Sequence, residues 1–463
     1  MESEEYCSSI MPKKAPSAVH DVARRGFHQN SAAGVKDSIV MYIDMNSYFA
    51  SCEQQAHPEL RNKPVGVLTY DSPNAAVIAA SIEAKRMGVK TGMRLGDCKV
   101  LCPDIICVTT HPAWYRKIHV DVMAILRKYC DDVMAKSIDE ASMNFTSYTR
   151  VLTDFKSIAE NIKKDIAAQY DYLKCSIGIA PNSFLAKLGT ELQKPDGLIQ
   201  INPENIDGYL ATLKLTDLPG IASANERRLK MIGINTPLEM RHASEALLRK
   251  AFGGVVGNYW HKRLNFAEVD IYSNEQRTMS ATRTVSSAQS ANRQTLESLF
   301  IALCTRLEQR MVKNKIFCKE VSFFIRYHDR TGWDTKVKLT QPVQDALELR
   351  QYLAERIHEY ETSHNIPVLF NANTMQLGVG IQNFVSDKIL QYSLFDNRIK
   401  HDVVRKVMYD IKDRFDKKNI VRKGSEMLTL GVMKDAIGFG SVRDLSTATG
   451  DVVNDYLLQD DDY

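Results

Sequence analysis

Two adjacent carboxylates, Asp139 and Glu140, stand in the middle of residues 133–145, VMAKSIDEASMNF, between short apolar runs. Neighbouring acids repel each other, so a chain that fixes such a pair on the exposed rim of a strand–turn–strand hairpin has a cation to hold. The third carboxylate that such a cation needs is Asp44. It ends the apolar run 38–43 and opens the stretch 44–53, DMNSYFASCE. Three acids on neighbouring strand ends can clamp two divalent ions, the device of in-line phosphoryl and nucleotidyl transfer.

The surrounding periodicity supplies the elements that must carry these acids. Residues 38–43 read as a buried strand and 46–55 as a helix stopped by His57-Pro58. Residues 63–68 and 76–80 read as two strands across a polar turn, and 82–87 as a short helix closed by Gly88. A longer helix over 112–129 leads into the hairpin. Phe155, Ile158, Ala159, Ile162 and Ile166 recur at helical spacing, so that face packs on a sheet. A strand over 173–180 and a helix over 183–192, stopped by Lys194-Pro195-Asp196-Gly197, complete the unit. This order predicts an α+β domain with helices on one face of a mainly antiparallel sheet.

The rest of the chain divides by its punctuation. Residues 216–267 form a small, separate helical unit, and 268–276 are a polar linker. Residues 277–384 follow the order β-α-β-β-α-β of a split βαβ unit. Residues 1–36 read as a disordered leader and 385–463 as a flexible, charged tail ending in Asp460-Asp461-Asp462.

Composition bounds the class. A chain of 463 residues, 44% hydrophobic and 25% charged, is an ordinary globular protein of several domains. The absence of a secretory h-region and of any apolar run near 20 residues predicts an intracellular protein with no membrane role. Nine cysteines spread along the chain make no disulfide framework, and Cys98, Cys102 and Cys107 lack the second ligand pair of a zinc site. The net charge of +4 is neutral on partners, but residues 277–341 carry twelve Lys/Arg against five Asp/Glu.

Three stretches together resemble the Y-family DNA polymerases, the low-fidelity enzymes that copy damaged template. They are DMNSYFA at 44–50, SIDEA at 137–141, and SIGIAPNSFLAK at 176–187 followed by KPDG at 194–197. The resemblance covers about residues 38–383, in the order palm, fingers, thumb and little finger. It implies an α+β right hand: a palm over 37–215 with fingers inserted at about 58–112, a thumb over 216–267 and a little finger over 277–384. It also implies that Asp44, Asp139 and Glu140, with the backbone carbonyl of Met45, hold two Mg²⁺ ions. Asn46, which is no carboxylate, is not counted as a main ligand.

For the incoming dNTP, the resemblance puts Ser47 and Tyr48 at the triphosphate, Tyr48 through its backbone amide. Phe49 lies under the sugar, where a filled volume excludes a 2′-hydroxyl. Lys187 is its phosphate-contacting lysine. Lys85 stands where an arginine is common, and a lysine cannot make the bidentate fork. Ala84-Lys85 is closer to the branch of the DNA polymerase V catalytic subunit than to that of DNA polymerase IV.

Gly220, Ile221 and Ala222, at the start of a stretch resembling a helix-hairpin-helix, would meet primer-template DNA through backbone amides at a helix N-terminus. Ala222 replaces the second glycine of that motif. Arg283, Arg326 and Lys338 are the phosphate contacts expected in the little finger. Gln391, Leu394 and Phe395, in QYSLFD, resemble the peptide that docks bacterial replication proteins on a sliding clamp, with accessory activator proteins as further partners. The implied setting is the cytoplasm, at the nucleoid. No additional acids for a proofreading exonuclease are found. The competing readings are a DNA-binding accessory protein with an inactive palm and a palm-type nucleotide cyclase.

Overall fold

The computed structural model describes residues 38–70, 72, 75–270, 277–364, 368–390, 398–415, 421 and 423, with only the backbone of residue 413. The expected leader, residues 271–276 of the linker, the clamp-like residues Gln391, Leu394 and Phe395, and most of 416–463 lie outside the described residues.

The chain opens with β1 (Val40–Met45) and α1 (Tyr48–Ala56). It then leaves for a small excursion: β2 (Val65–Leu68), β3 (Val77–Ala80), α2 (Ile82–Arg86), α3 (Leu95–Leu101) and β4 (Ile106–Thr109). These make a three-stranded sheet of order β3-β2-β4 around a core of their own, including Leu68, Val77, Leu95 and Cys98. The return is α4 (Pro112–Leu126), β5 (Val133–Ala135), β6 (Glu140–Asn144), α5 (Phe155–Gln169), β7 (Cys175–Ala180), α6 (Ser183–Leu192) and β8 (Leu198–Gln200). The resulting sheet runs β5-β6-β1-β7-β8, antiparallel except for the β7–β8 pair.

β1 and β7 are buried along their whole length. Helices therefore cover both faces of this sheet, not the single face expected from sequence. Met41, Ile43 and Met45 point into a core shared with Ile118 and Val122 of α4 and Ile162 and Ile166 of α5. Val40 and Tyr42 point the other way, into a core with Phe184, Leu185 and Leu188 of α6. That second core also contains the helical unit that follows: α7 (Ile206–Ala211), α8 (Ser223–Met231), α9 (Pro237–His242), α10 (Glu245–Phe252) and α11 (Gly254–Leu264). The expectation of a separate helical unit is corrected accordingly, because Leu229, Met240, Leu248 and Trp260 are buried with the residues of α6 and β1.

The start of the expected linker is also docked. The Ser183 backbone and hydroxyl both donate to Glu268 (2.7 Å each), and Arg263 ion-pairs with Asp270.

The last unit is β9 (Thr278–Thr284), α12 (Ser287–Ser290), α13 (Arg293–Lys313), β10 (Ile316–Tyr327), β11 (Gly332–Val343), α14 (Ala346–Ser363) and β12 (Thr374–Ser386). Its sheet, of order β11-β10-β12-β9, is wholly antiparallel, and α13 and α14 share a core with its inward residues Val321, Phe323, Leu377 and Val379.

Residues 385–463, expected as a flexible tail, contain α15 (Arg398–Arg414). α15 docks through a charged cluster that apolar periodicity does not reveal. Arg405 is buried and ion-pairs with Asp345 and Asp402, and the Tyr409 hydroxyl donates to the fully buried Glu308 (2.9 Å).

Candidate active site

The register of the first sheet brings the distant acids together. Asp44 lies opposite Glu140 on β6 and opposite Ser176 on β7. Asp44 is thus the penultimate residue of β1 and is buried, whereas the sequence placed it beyond the strand. Asp139 is the last residue of the β5–β6 turn; its carbonyl accepts from the Met45 amide (2.9 Å) and its carboxylate accepts from the Ser137 hydroxyl. Asp139 and Glu140 are half-buried rather than on an exposed rim.

α6 delivers the counter-charge. It lies so close to β7 that a Cβ on Gly178 would come within 1.9 Å of the Ala186 carbonyl oxygen. Only glycine permits this approach, which sets Lys187 over the strand ends. The Lys187 ammonium reaches Asp44 (2.6 Å), Glu140 and Glu191 (3.1 Å). Lys194 reaches Asp44 (3.0 Å) and Glu191 (2.9 Å). From sequence, Lys194 belongs to a helix stop and to the third motif and is not named as a site residue. The missed signal is Asn46, whose carboxamide accepts from the Asp196 amide (2.7 Å) and donates to the buried Ser176 hydroxyl (3.0 Å). The Gly197 amide also donates to Ser176 (3.3 Å), so the 194–197 turn is pinned beside β1.

These contacts separate the three acids electrostatically. Burial pushes Asp44 up, but the adjacent Lys187 and Lys194 charges outweigh it and hold the carboxyl below its ordinary value. Asp139 is raised, by burial first and then by the Asp44 charge, against the Ser137 hydrogen bond. Burial also raises Glu140 in spite of Lys187. Lys187 itself loses hydration, yet Asp44 and Glu140 keep its pKa above the usual lysine value.

Two carboxylates thus remain under-compensated, and all three offer hard oxygen donors of the kind that divalent Mg²⁺ takes. Among the described residues no three His, Cys, Asp or Glu side chains already close on one point. The Lys187 ammonium stands between Asp44 and Glu140 as a cation in that place. The donor set and its surplus negative charge fit a divalent metal.

The nucleotide residues of the sequence reading fall around this centre. Ser47 adopts φ +51° at the N-terminus of α1, a rare left-handed conformation for a non-glycine residue, and turns the chain from β1 into the helix. Tyr48 is buried, with its hydroxyl donating to the Tyr115 carbonyl (2.7 Å). Phe49, in the first turn of α1, is 8% exposed and stacks on Tyr115 with ring centroids 4.7 Å apart. Its ring is held rigidly from behind. Lys85 on α2 is exposed, yet loss of hydration at its head and then the Lys194 charge lower its pKa, with Asp44 and Asp139 pulling the other way. The excursion therefore faces the carboxylates.

A cleft of about 700 Å³ runs from Glu140 and Lys187 past Lys136 to Gly220, Arg228 and Trp260. Gly220 has φ +89°, and Ala222 precedes α8. The Ile221 side chain is buried in the core, so this residue can meet a ligand only through its backbone.

On the last sheet Arg326 and Lys338 share the outward parity. Arg283 does not: it has the parity of Met279 and Ala281 and pairs with the buried Leu377, so its side chain leaves on the helix side. A phosphate contact from Arg283 on the outer face is corrected on that ground.

Two family models match the chain: the impB/mucB/samB family over residues 43–191, and the C-terminal domain of that family over 276–394. Together they cover more than half of the sequence, and the chain belongs to this family.

Its fold is the palm, fingers, thumb and little finger of the Y-family polymerases. The solved Y-family DNA polymerase chimera Dbh-Dpo4(243-245)-Dbh superposes with a TM-score of 0.63 at 23% identity, over 76% of this chain and 100% of that one. The DNA polymerase IV of Bacteroides fragilis is 34% identical over 216 residues, 47% of this chain and 59% of the relative. That of Pseudomonas aeruginosa is 32% identical over 221 residues, 48% and 63%. The matched stretch thus spans about three fifths of these two relatives. The DNA polymerase IV of Alkalilimnicola ehrlichii matches at 28% identity over 356 residues, 77% of this chain and 99% of the relative.

Proposed function

We propose that this chain is a DNA-directed DNA polymerase that carries out error-prone translesion synthesis by nucleotidyl transfer onto a primer 3′-hydroxyl, without proofreading. The observation that carries the reading is the convergence of Asp44, Asp139 and Glu140 on adjacent strands, facing Lys187, Lys194 and Lys85, in a chain of this family.

Asp44, Asp139, Glu140 and the Met45 carbonyl are the ligands for two Mg²⁺ ions. When bound, these lower the pKa of the primer hydroxyl and offset charge on the triphosphate. Lys187, Lys194 and Lys85 supply positive charge to the triphosphate, and the backbone amides of Ser47 and Tyr48 at the start of α1 add donors. Phe49, backed by Tyr115, is a fixed floor under the sugar that a 2′-hydroxyl does not fit.

Primer-template DNA follows the cleft between palm and thumb, where the backbone of Gly220, Ile221 and Ala222 meets phosphate. It continues along the outer face of the little-finger sheet, to Arg326 and Lys338. Docking on a sliding clamp through Gln391, Leu394 and Phe395, dependence on accessory activator proteins, and a place at the cytoplasmic nucleoid rest on sequence alone.

The test is extension of a labelled primer with Mg²⁺ and single dNTPs on templates that differ in one base. Incorporation that follows the template base supports the polymerase. Incorporation indifferent to the template, or cyclic nucleotide formed from a free triphosphate, would refute it.

A further inference from the structure

His119 is a buried polar side chain that the site described above does not use. It sits in the middle of α4, 3% exposed. Its Nδ1 lies 2.8 Å from the carbonyl oxygen of Ile138, the residue before Asp139. A carbonyl only accepts, so Nδ1 carries the proton and donates. Nε2 is then the acceptor, and among the described residues it has no hydrogen-bond partner. Burial lowers the pKa of the ring, in keeping with this neutral form. His119 also lines a cavity of about 10 Å³ with Met45, Tyr48, Ile138, Asp139 and Glu140, close to the volume of one water.

Besides His119, the turn that carries Asp139 is held by backbone hydrogen bonds and by Ser137, whose hydroxyl donates to the Asp139 carboxylate and accepts a long bond from the Asp139 amide (3.4 Å). β5 ends at Ala135 and β6 begins at Glu140, so residues 136–139 lie outside the ladder. The amides of Lys136 and Ser137 both donate to the Glu140 carbonyl, at 2.8 and 3.2 Å. The Asp139 carbonyl accepts from the Met45 amide (2.9 Å). The Ile138 carbonyl has no strand partner, and among the described residues His119 is its donor.

A buried carbonyl without a donor turns toward water. The peptide plane that holds the Ile138 carbonyl also holds the Asp139 amide, so its rotation would swing the Asp139 carboxylate away from Asp44.

We propose that His119 is a positioning residue for the catalytic hairpin: its Nδ1–H anchors the Ile138 carbonyl and thereby aims Asp139 at the metal-binding centre. The catalytic consequence rests on the polymerase reading. The anchoring of the turn rests on the hydrogen bond alone.

Two substitutions separate the donor from the bulk of the ring. His119→Phe keeps a ring and removes the donor. His119→Asn removes the ring and keeps a donor two bonds beyond Cβ, where Nδ1 stood. His119→Gln, whose donor is displaced by one methylene, replaces the first comparison should H119F not fold.

Three quantities are read on the full chain: amide hydrogen exchange of peptides spanning 133–145, binding of Mn²⁺ alone by electron paramagnetic resonance, and kcat and KM for dNTP as Mg²⁺ is varied. H119F is expected to speed exchange in 133–145 while leaving the little-finger sheet protected. It should weaken Mn²⁺ binding about tenfold and lower kcat about tenfold or more, with KM for dNTP within about twofold. H119N is expected to stay near wild type in all three.

Wild-type exchange and Mn²⁺ binding in H119F would overturn the proposal, and so would equal damage in H119N and H119F. A wild-type chain that extends no primer would instead overturn the polymerase reading, with the exchange comparison still deciding whether His119 anchors the turn.

Discussion

Two buried carboxylates, each approached by two cations, organise two separate clusters, one in the palm and one in the little finger, and the acids beside them shift in opposite directions. In the palm, Asp44 meets Lys187 and Lys194, but Asp139 and Glu140 lie beside it and burial raises each above its ordinary value. In the little finger, the fully buried Glu308 accepts from the Ala346 amide (2.7 Å), the Tyr409 hydroxyl (2.9 Å) and Lys423 (2.7 Å), with Arg405 at 3.9 Å. There the neighbouring Asp345 is lowered to about 2, because Lys423 and Arg405 outweigh its burial. One cluster is complete and serves to dock α15. In the other, burial leaves Asp139 and Glu140 raised in spite of the nearby lysines, which suits carboxylates that take up an external cation.

The largest effect expected from breaking this contrast is in the complete cluster. Glu308→Ala should cost about 3–5 kcal/mol, since it leaves Arg405 and Lys423 in excess over Asp345 and Asp402 and takes the acceptor from the buried Tyr409 hydroxyl and Ala346 amide. Hydrogen exchange should then show α15 released, with the exchange of residues 133–145 unchanged.

Next is Phe49→Ala, which removes the floor under the sugar and leaves every charge in place. Discrimination against ribonucleotides should fall roughly 100-fold, measured as the ratio of kcat/KM for dNTP and rNTP. Unchanged discrimination would remove Phe49 from that role.

A paired comparison of smaller size sharpens the electrostatic point. Asp139→Asn should raise thermal stability, by about 1 kcal/mol, because it relieves a raised carboxylate at a functional site. Asp44→Asn should lower it, because Lys187 and Lys194 lose their shared partner. Melting curves that move in the same direction would contradict the difference drawn between the two acids.

The pH response follows from Asp345. Its folded value lies below its ordinary 3.8, so its contribution is present above about pH 4 and is lost as the pH falls toward 2. Protection of α15 from exchange should follow that window. Smallest is Lys338→Gln on the outer sheet face, which should reduce the slope of log K against log salt for DNA binding by about one.

The three acids that the fold brings together were legible because each stands in a short motif whose chemistry needs neighbours: Asp139 beside Glu140, and Asp44 closing an apolar run. The alternation of the little-finger strands was also legible, because Met279, Val321 and Leu377 face one core. Other features depend on pairings across the chain. Lys194 joins the site only because Asn46 and Ser176, on two strands, pin the turn after α6. From sequence, α15 reads as flexible tail because its docked face is made by Arg405 and Tyr409 and not by an apolar stripe. Val403, Val404 and Val407, which such a stripe would bury, are exposed. Arg283 reads from sequence as a phosphate contact on a candidate strand, and only the register sets it opposite the buried Leu377.

The most direct test of the central claim is primer extension on a defined template with Mg²⁺ by wild type and Asp139→Ala, with primer-template binding measured alongside. Templated extension by the wild type, lost in the variant while salt-sensitive DNA binding persists, is the predicted result. Equal extension by both proteins would contradict the assignment of Asp139 to the metal-binding centre.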